Sequence, residues 1–154
     1  VVLGSVILLL AITVGGLSQE TGGGPFLVSL LGDFPWYWLL PATLFTIAAV
    51  ISFSTGSSWA TFAVTLPLAM PLAHALGVER ALAEPWLFDA LCFAACLNGA
   101  VFGDQCSPIS DTTVLSAMCT GADLMDHVKS QLPVAAIAVV LALAGWTALA
   151  LWAG

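Results

Sequence analysis

Charged side chains are scarce in this chain, and positively charged ones are almost absent. Only 7% of the 154 residues are charged, whereas soluble domains carry about a quarter, so these few charges cannot cover a water-facing surface. Two Lys and Arg residues stand against nine Asp and Glu residues, which leaves no basic surface for a phosphate backbone. The composition therefore excludes a soluble enzyme and predicts no nucleic acid among the partners.

The cysteines do not form a recognisable metal or redox motif. No C-x-x-C pair occurs, and their neighbours are apolar or small residues, so core or lipid-facing thiols are the expected role. They are Cys92, Cys96, Cys106 and Cys119. We therefore predict no cofactor.

Hydrophobic residues make up 60% of the chain, and they are concentrated in runs. A membrane-spanning helix needs about 20 mostly apolar residues, so a chain of this length allows four or five membrane segments. We predict an all-α polytopic membrane protein, multi-pass in the lipid bilayer of the cell inner membrane or plasma membrane. The predicted apolar segments are 1–17, 39–53, 62–76, 86–102 and 132–153, whereas 26–34 is too short to cross.

Two of these runs end in clusters of small polar residues instead of charged loops. The first cluster is STGSSWAT at 54–61, and the second is GDQCSPISDTT at 103–113. Non-helical backbone inside a membrane is tolerated only where protein or a water-filled cavity covers it. Secondary transporters use such broken helices near the bilayer midplane to hold ions. The sequence therefore predicts broken or re-entrant helices that carry an ion site.

The second cluster contains two carboxylates, Asp104 and Asp111. Pro108 removes a backbone donor and disfavours helix before it, so the incoming helix should end near Cys106. Asp104 then lies in the last turn, where the helix dipole destabilises a carboxylate unless a cation or proton neutralises it. Asp111 begins the outgoing helix and has a capping role as its alternative. Another interpretation is that both are interfacial caps outside the lipid.

Hydroxyl and amide side chains surround these carboxylates in sequence. Hard oxygen ligands without soft donors suit an alkali cation such as sodium better than a transition metal, and Ser107, Ser110 and Thr112 supply such oxygens. Asn98 lies six residues before Asp104 and either faces the same cavity or makes an interhelical hydrogen bond.

The first cluster offers neutral oxygens only. Gly56 permits backbone conformations that other residues resist, and Ser57 and Ser58 add hydroxyl groups beside it. Membrane serines often bond back to their own helix, so close helix packing is the alternative to an ion site. The pattern leaves open whether 39–76 is one broken span or a hairpin with its tip at Gly56.

Two motifs, GSSWATFAVTLPLAMPLA at 56–73 and GAVFGDQCSPISDTTVLSAMCTGADLMDHVKSQLP at 99–133, resemble the NhaC-type sodium/proton antiporter family. The resemblance implies one half of an inverted-repeat transporter, with residues 1–154 as a membrane transport domain and a fragment of a longer transporter. The remaining N-terminal part of the same chain would supply the matching half of the site, and a homodimer is a candidate assembly. The ion-handling residues implied are Asp104, Ser107, Ser110, Asp111 and Thr112, with Gly56, Ser57 and Ser58 as the partner cluster.

The expected activity is exchange of sodium ions for protons at one buried carboxylate, with sodium as the transported substrate and no enzymatic reaction. Burial favours the neutral state of a carboxylate, which either a proton or a sodium ion can supply. Asp104 is the first candidate and Asp111 the second.

Three other functions compete with this one. A sodium- or proton-coupled exchanger of small organic anions, of the malate or lactate type, would use the same architecture. An intramembrane aspartyl protease would resemble a G-x-G-D pattern, but Val101 stands where the first glycine belongs, and both aspartates lie on one short segment. A membrane scaffold without transport leaves the polar clusters without a purpose.

Overall fold

The computed structural model describes residues 36–82 and 84–153 continuously, together with scattered positions before residue 36. The segments predicted at 1–17 and 26–34 lie outside these continuous stretches. All regular elements in the described part of the chain are helical: a 3-10 turn at Tyr37–Leu39, then α1 (Leu40–Thr55), α2 (Ser58–Glu79), α3 (Pro85–Cys106), α4 (Asp111–Thr120) and α5 (Leu124–Ala153).

Among the described residues, four helices are long and apolar enough to cross a membrane. This confirms the prediction of an all-α polytopic membrane protein. The last of them begins at Leu124 and not at the predicted residue 132. Its polar first turns are helical because the Asp123 carboxylate accepts hydrogen bonds from the amides of Met125 and Asp126, at 2.9 and 3.2 Å.

Helices α1 and α2 form an antiparallel hairpin whose tip is Gly56 and Ser57. Near its start, α1 shares an apolar cavity with Leu72 and Leu76 of α2. Towards its end, α1 lines a second cavity with Val64, close to the beginning of α2. The early part of one helix therefore faces the late part of the other, which decides the open question about 39–76 in favour of the hairpin.

Helices α1 and α3 run parallel and in very close contact. A Cβ atom added at Gly99 would lie 2.2 Å from the Phe45 carbonyl oxygen, and one at Gly103 would lie 2.3 Å from the Phe53 nitrogen. The hydroxyl of Ser52 also donates to the carbonyl of Ala100 at 2.5 Å. Small residues let the two backbones approach in this way, so the carboxyl ends of α1 and α3 lie together.

Helix α5 runs antiparallel to α3 and extends past its end. Phe88, near the start of α3, shares the core with Ala150, near the end of α5. Gln105, in the last turn of α3, lines a cavity with Gln131 of α5. Helix α4 then lies beside the first turns of α5, where Ser116 and His127 line a common cavity. The broken helix α3–α4 therefore lies alongside one continuous helix.

Candidate ion-binding site

The two helix interruptions meet at the ends of α1 and α3. Gly56 closes α1 in the left-handed conformation, with φ of 66°, and Ile109 of the second interruption packs directly against it. The hydroxyl of Ser107 donates to the Phe53 carbonyl at 2.7 Å. This contact satisfies one of the carbonyl groups that the end of α1 leaves without an intrahelical partner.

The first interruption is narrower than the polar cluster at 54–61 suggests. Ser54 and Thr55 are still helical, and their hydroxyls donate to the carbonyls of Val50 and Ile51 in their own helix. Ser57 is the N-cap of α2, and its hydroxyl accepts from the Ala60 amide at 3.3 Å. Only Gly56 and Ser57 separate the two helices.

The Asp104 carboxylate lies between the two interruptions. The hydroxyl of Ser58, at the start of α2, donates to its Oδ2 atom at 3.3 Å. The hydroxyl of Ser110 donates to its Oδ1 atom at 2.6 Å. Asp104 is half-buried in the last turn of α3, so a hydroxyl from the residues at each chain break lies beside the same carboxylate.

The second interruption forms a compact hydroxyl network. Ser110 is the N-cap of α4 and accepts from the Thr112 amide at 3.2 Å, while the two hydroxyl oxygens of these residues lie 2.7 Å apart. The Thr113 hydroxyl donates to the carbonyls of Asp104 and Gln105, at 3.2 and 3.0 Å. These bonds satisfy carbonyls at the end of α3 that have no helical partner.

Two predicted site residues stand apart from this network. Asp111 is exposed as the first residue of α4, and its carboxylate accepts from the Thr112 amide at 2.9 Å in the first helical turn. Asn98 is also exposed and lines a different cavity, with Gln105 and Gln131. Six residues at 3.6 per turn place Asn98 about 120° around the helix from Asp104, so it lies apart from the hydroxyl cluster, and its part in an ion site stays a prediction.

The predicted site residues thus divide by the contacts they make. Four share a hydrogen-bonded cluster, namely Asp104, Ser58, Ser110 and Thr112. The two interruptions are packed together by Gly56 and Ser107. Ser57 caps α2, and Asp111 lies in the first turn of α4. Asn98 belongs to none of these groups.

Sequence reasoning did not single out Ser116 and Gln131, which form a polar surface with His127 beside this cluster. The side chains of Ser116, His127 and Gln131 line a cavity together with Thr112. The sequence carries a signal for this surface. Thr112 and Ser116 are four residues apart on α4, and His127 and Gln131 are four residues apart on α5. The two members of each pair therefore lie on one face of their helix.

The charge of Asp104 has no protein counter-ion in the described part of the chain. The ion pairs found there join His74 with Asp89 and Lys129 with Asp126. The same described residues contain no group of three or more His, Cys, Asp and Glu side chains that could hold a metal ion. A single carboxylate among hydroxyls suits a proton or an alkali cation better than a transition metal.

The contact at Gly56 predicts a measurable effect on stability. A Cβ atom there would lie 2.9 Å from backbone atoms of Ile109, whereas Gly121 has a similar φ of 68° with nothing within 4 Å. Gly121→Ala should therefore lower the free energy of unfolding by only about 1 kcal/mol, which is the cost of holding alanine in the left-handed conformation. We expect Gly56→Ala to lower the thermal unfolding midpoint of the full-length protein further, because it also separates the interruptions. Equal midpoints for the two variants would show that the contact contributes nothing.

These features define a class of protein. Interrupted membrane helices and an ionisable residue between them are features of secondary transporters. The family described as the Na+/H+ antiporter family matches residues 3–149. The chain belongs to this family, which confirms the resemblance seen in the sequence.

The chain is also similar to individual antiporters. It is 37% identical over 128 residues to the arginine/ornithine antiporter ArcD of Halobacterium salinarum, covering 78% of this chain and 24% of that protein. It is 36% identical over 92 residues to the Na(+)/H(+) antiporter NhaC of Alkalihalophilus pseudofirmus, covering 60% and 18%. It is 34% identical over 93 residues to the malate-2H(+)/Na(+)-lactate antiporter of Bacillus subtilis, again covering 60% and 18%.

The chain spans about a quarter or less of the length of these relatives. No solved structure matches it.

Proposed function

We propose that this chain forms part of a secondary active transporter that exchanges sodium ions for protons, with Asp104 as the exchanging carboxylate. The observation that supports this most strongly is the pair of hydroxyls, Ser58 and Ser110, that reach the two oxygens of Asp104 from different chain interruptions. Family membership supports antiport in general. The contacts of Ser58 and Ser110 with Asp104 support this cluster as the place of exchange.

The proposed exchange depends on two ways of neutralising one carboxylate. A proton can bind an oxygen of Asp104 directly. Alternatively, a sodium ion can bind the carboxylate together with the hydroxyl oxygens of Ser58 and Ser110, whose hydrogens rotate away so that lone pairs face the ion. Moving an empty, charged site across an apolar barrier is costly, whereas either neutralised form moves more easily. Sodium and protons therefore compete and are transported in opposite directions.

We place the cluster inside the hydrocarbon layer of the cell inner membrane or plasma membrane. The break between α3 and α4 lies beside Gln131, so α5 continues for several residues on either side of it. We further propose that the N-terminal part of a longer chain completes the site and that two copies assemble as a homodimer.

The cluster contains one aspartate, whereas an aspartyl protease needs two that act together, so we propose no enzymatic reaction.

The direct test is sodium-driven proton flux in vesicles that contain the full-length protein. An inward sodium gradient should drive protons out, measured with a pH-sensitive dye inside the vesicle, and reversing the gradient should reverse the flux. Vesicles without protein give the leak rate. Flux at the leak rate in both directions would contradict sodium/proton exchange.

The second candidate function is exchange of small organic solutes coupled to sodium or protons. Two relatives favour it, since one is named for arginine and ornithine and another for malate and lactate. Malate, lactate or arginine added to the vesicles should accelerate proton flux if this function applies. Sodium-driven flux that none of these solutes changes would favour simple sodium/proton exchange.

A further inference from the structure

A polar cavity of about 300 Å³ lies between α3, α4 and α5, next to the Asp104 cluster. All of its lining side chains carry hydrogen-bonding groups, and they are Gln105, Thr112, Thr113, Ser116, His127 and Gln131. A cavity of this volume has room for several water molecules, and its polar lining supplies the few hydrogen-bond partners that each water needs. The Oε1 atom of Gln131 is buried without a hydrogen-bond partner from the protein, so a water in the cavity is a suitable donor to it.

Two hydroxyls connect this cavity to the carboxylate. Thr112 lines the cavity, and its Oγ1 atom lies 2.7 Å from the Oγ atom of Ser110. Ser110 in turn donates to Oδ1 of Asp104 at 2.6 Å. The Thr112 hydroxyl also lies 3.3 Å from the Asp104 carbonyl oxygen, which is a second acceptor for its hydrogen. Because the Ser110 hydrogen is used for the carboxylate, Thr112 is the donor in the shorter contact between the two hydroxyls. The hydrogens therefore point from the cavity towards Asp104.

We propose that this cavity is the aqueous vestibule of the exchange site and that the hydroxyls of Thr112 and Ser110 relay the proton to Asp104. The inference rests on the proposed exchange at Asp104. A hydrated proton in the cavity passes one proton to the Thr112 oxygen, which releases its own to Ser110, and Ser110 releases its own to Asp104. Three O–H bonds form and three break, and both hydroxyls end neutral with reversed orientation. The return path releases one proton to cavity water.

The relay and the hairpin tip use different carboxylate oxygens. Ser110 contacts Oδ1, whereas Ser58 approaches Oδ2 from the other interruption. Thr113 also lines the cavity, but its hydroxyl donates to the backbone carbonyls of Asp104 and Gln105. Of the cavity-lining hydroxyls on α4, Thr112 is the one within hydrogen-bond distance of the Ser110 hydroxyl, so it is the one that the relay uses.

Thr112→Val tests the relay, because it removes the hydroxyl and keeps the shape of the side chain. We expect the rate of sodium-driven proton release by the full-length protein to fall about tenfold while the sodium concentration for half-maximal binding stays unchanged. Thr112→Ser should restore most of the rate. Thr120→Val is the matched control, since the Thr120 hydroxyl donates only to carbonyls of its own helix.

Ser116→Cys tests the vestibule. Cys119 is exposed and is replaced by Ser first, so that a membrane-impermeant thiol reagent reports on position 116. Modification there should reduce proton flux at least about fivefold. Leu115→Cys is the control, because Leu115 is exposed on the same helix and does not line the cavity; its modification should leave the flux unchanged.

The results separate the relay from the proposed function. A normal proton rate in Thr112→Val, or a fall in sodium affinity that accounts for the loss of rate, would overturn the relay. Equal inhibition at positions 115 and 116, or none at either, would overturn the vestibule. If Asp104→Asn abolishes exchange while Thr112→Val does not, only the relay fails. Normal exchange in Asp104→Asn would instead refute the proposed function.

Discussion

Replacing Asp104 with Asn should lower sodium-driven proton exchange by at least about a hundredfold. The amide keeps the size of the side chain and still accepts a hydrogen bond from Ser110, but it neither binds a proton nor neutralises a sodium ion. One charge pair at about 4 Å in a medium of effective dielectric constant near 20 is worth about 4 kcal/mol. That energy corresponds to nearly three orders of magnitude in sodium affinity.

Initial rates of proton flux in vesicles, measured over a range of sodium concentrations, check this expectation. Asp126→Asn is the matched control, because it removes the same charge from an exposed pair with Lys129 on the surface, where such pairs contribute little. Asp111→Asn should cause a loss of only a few fold, since that carboxylate is exposed in the first turn of α4. Undiminished exchange in both Asp104→Asn and Asp111→Asn would eliminate the carboxylate mechanism.

Gly103→Ala should destabilise the protein and impair transport together. The added Cβ atom would lie 2.3 Å from the Phe53 nitrogen and 2.6 Å from the Ala49 carbonyl oxygen. Both atoms are backbone, so α1 and α3 must separate to relieve the contact. Forcing extra atoms into a packed contact costs about 1–3 kcal/mol. Because Asp104 is the next residue along the chain, the same movement takes its carboxylate away from Ser58.

Thermal unfolding of the purified full-length protein measures this loss, and vesicle flux measures the effect on transport. Gly145→Ala provides the control, since a Cβ atom there meets nothing within 4 Å and alanine is the better helix former. Its unfolding midpoint should stay the same or rise slightly. A Gly103→Ala midpoint equal to that of the unaltered protein would show that the close contact of α1 with α3 does not hold the fold together.

Local signals identified several features of the site correctly. Pro108 predicted the end of α3 at Cys106, and the structure ends the helix there. The predicted position of Asp104 in the last turn of α3 and of Asp111 at the start of α4 is likewise confirmed. Each of these depends on a residue's effect on its immediate neighbours, such as a missing backbone donor or a side-chain cap.

The position of Asn98 shows what local spacing leaves open. Distance along the sequence is a poor guide to distance in space on a helix, because direction around the axis changes by about 100° per residue. Ser58 lies 46 residues from Asp104 and contacts its carboxylate. Asn98 lies six residues away and faces another cavity.

The sequence by itself determined that the chain crosses a membrane as helices, where two of those helices are interrupted, and which oxygen-bearing residues the interruptions contain. Apolar runs, glycine, proline and capping residues act within a few positions, so these features can be recognised without a fold. Only the tertiary structure decided that 39–76 folds as a hairpin, that the tip of that hairpin meets the second interruption, and that Asp104 takes hydroxyls from both. Those contacts depend on how closely the backbones of α1 and α3 pack at Gly99 and Gly103, and interhelical packing is set by surfaces that no single segment contains.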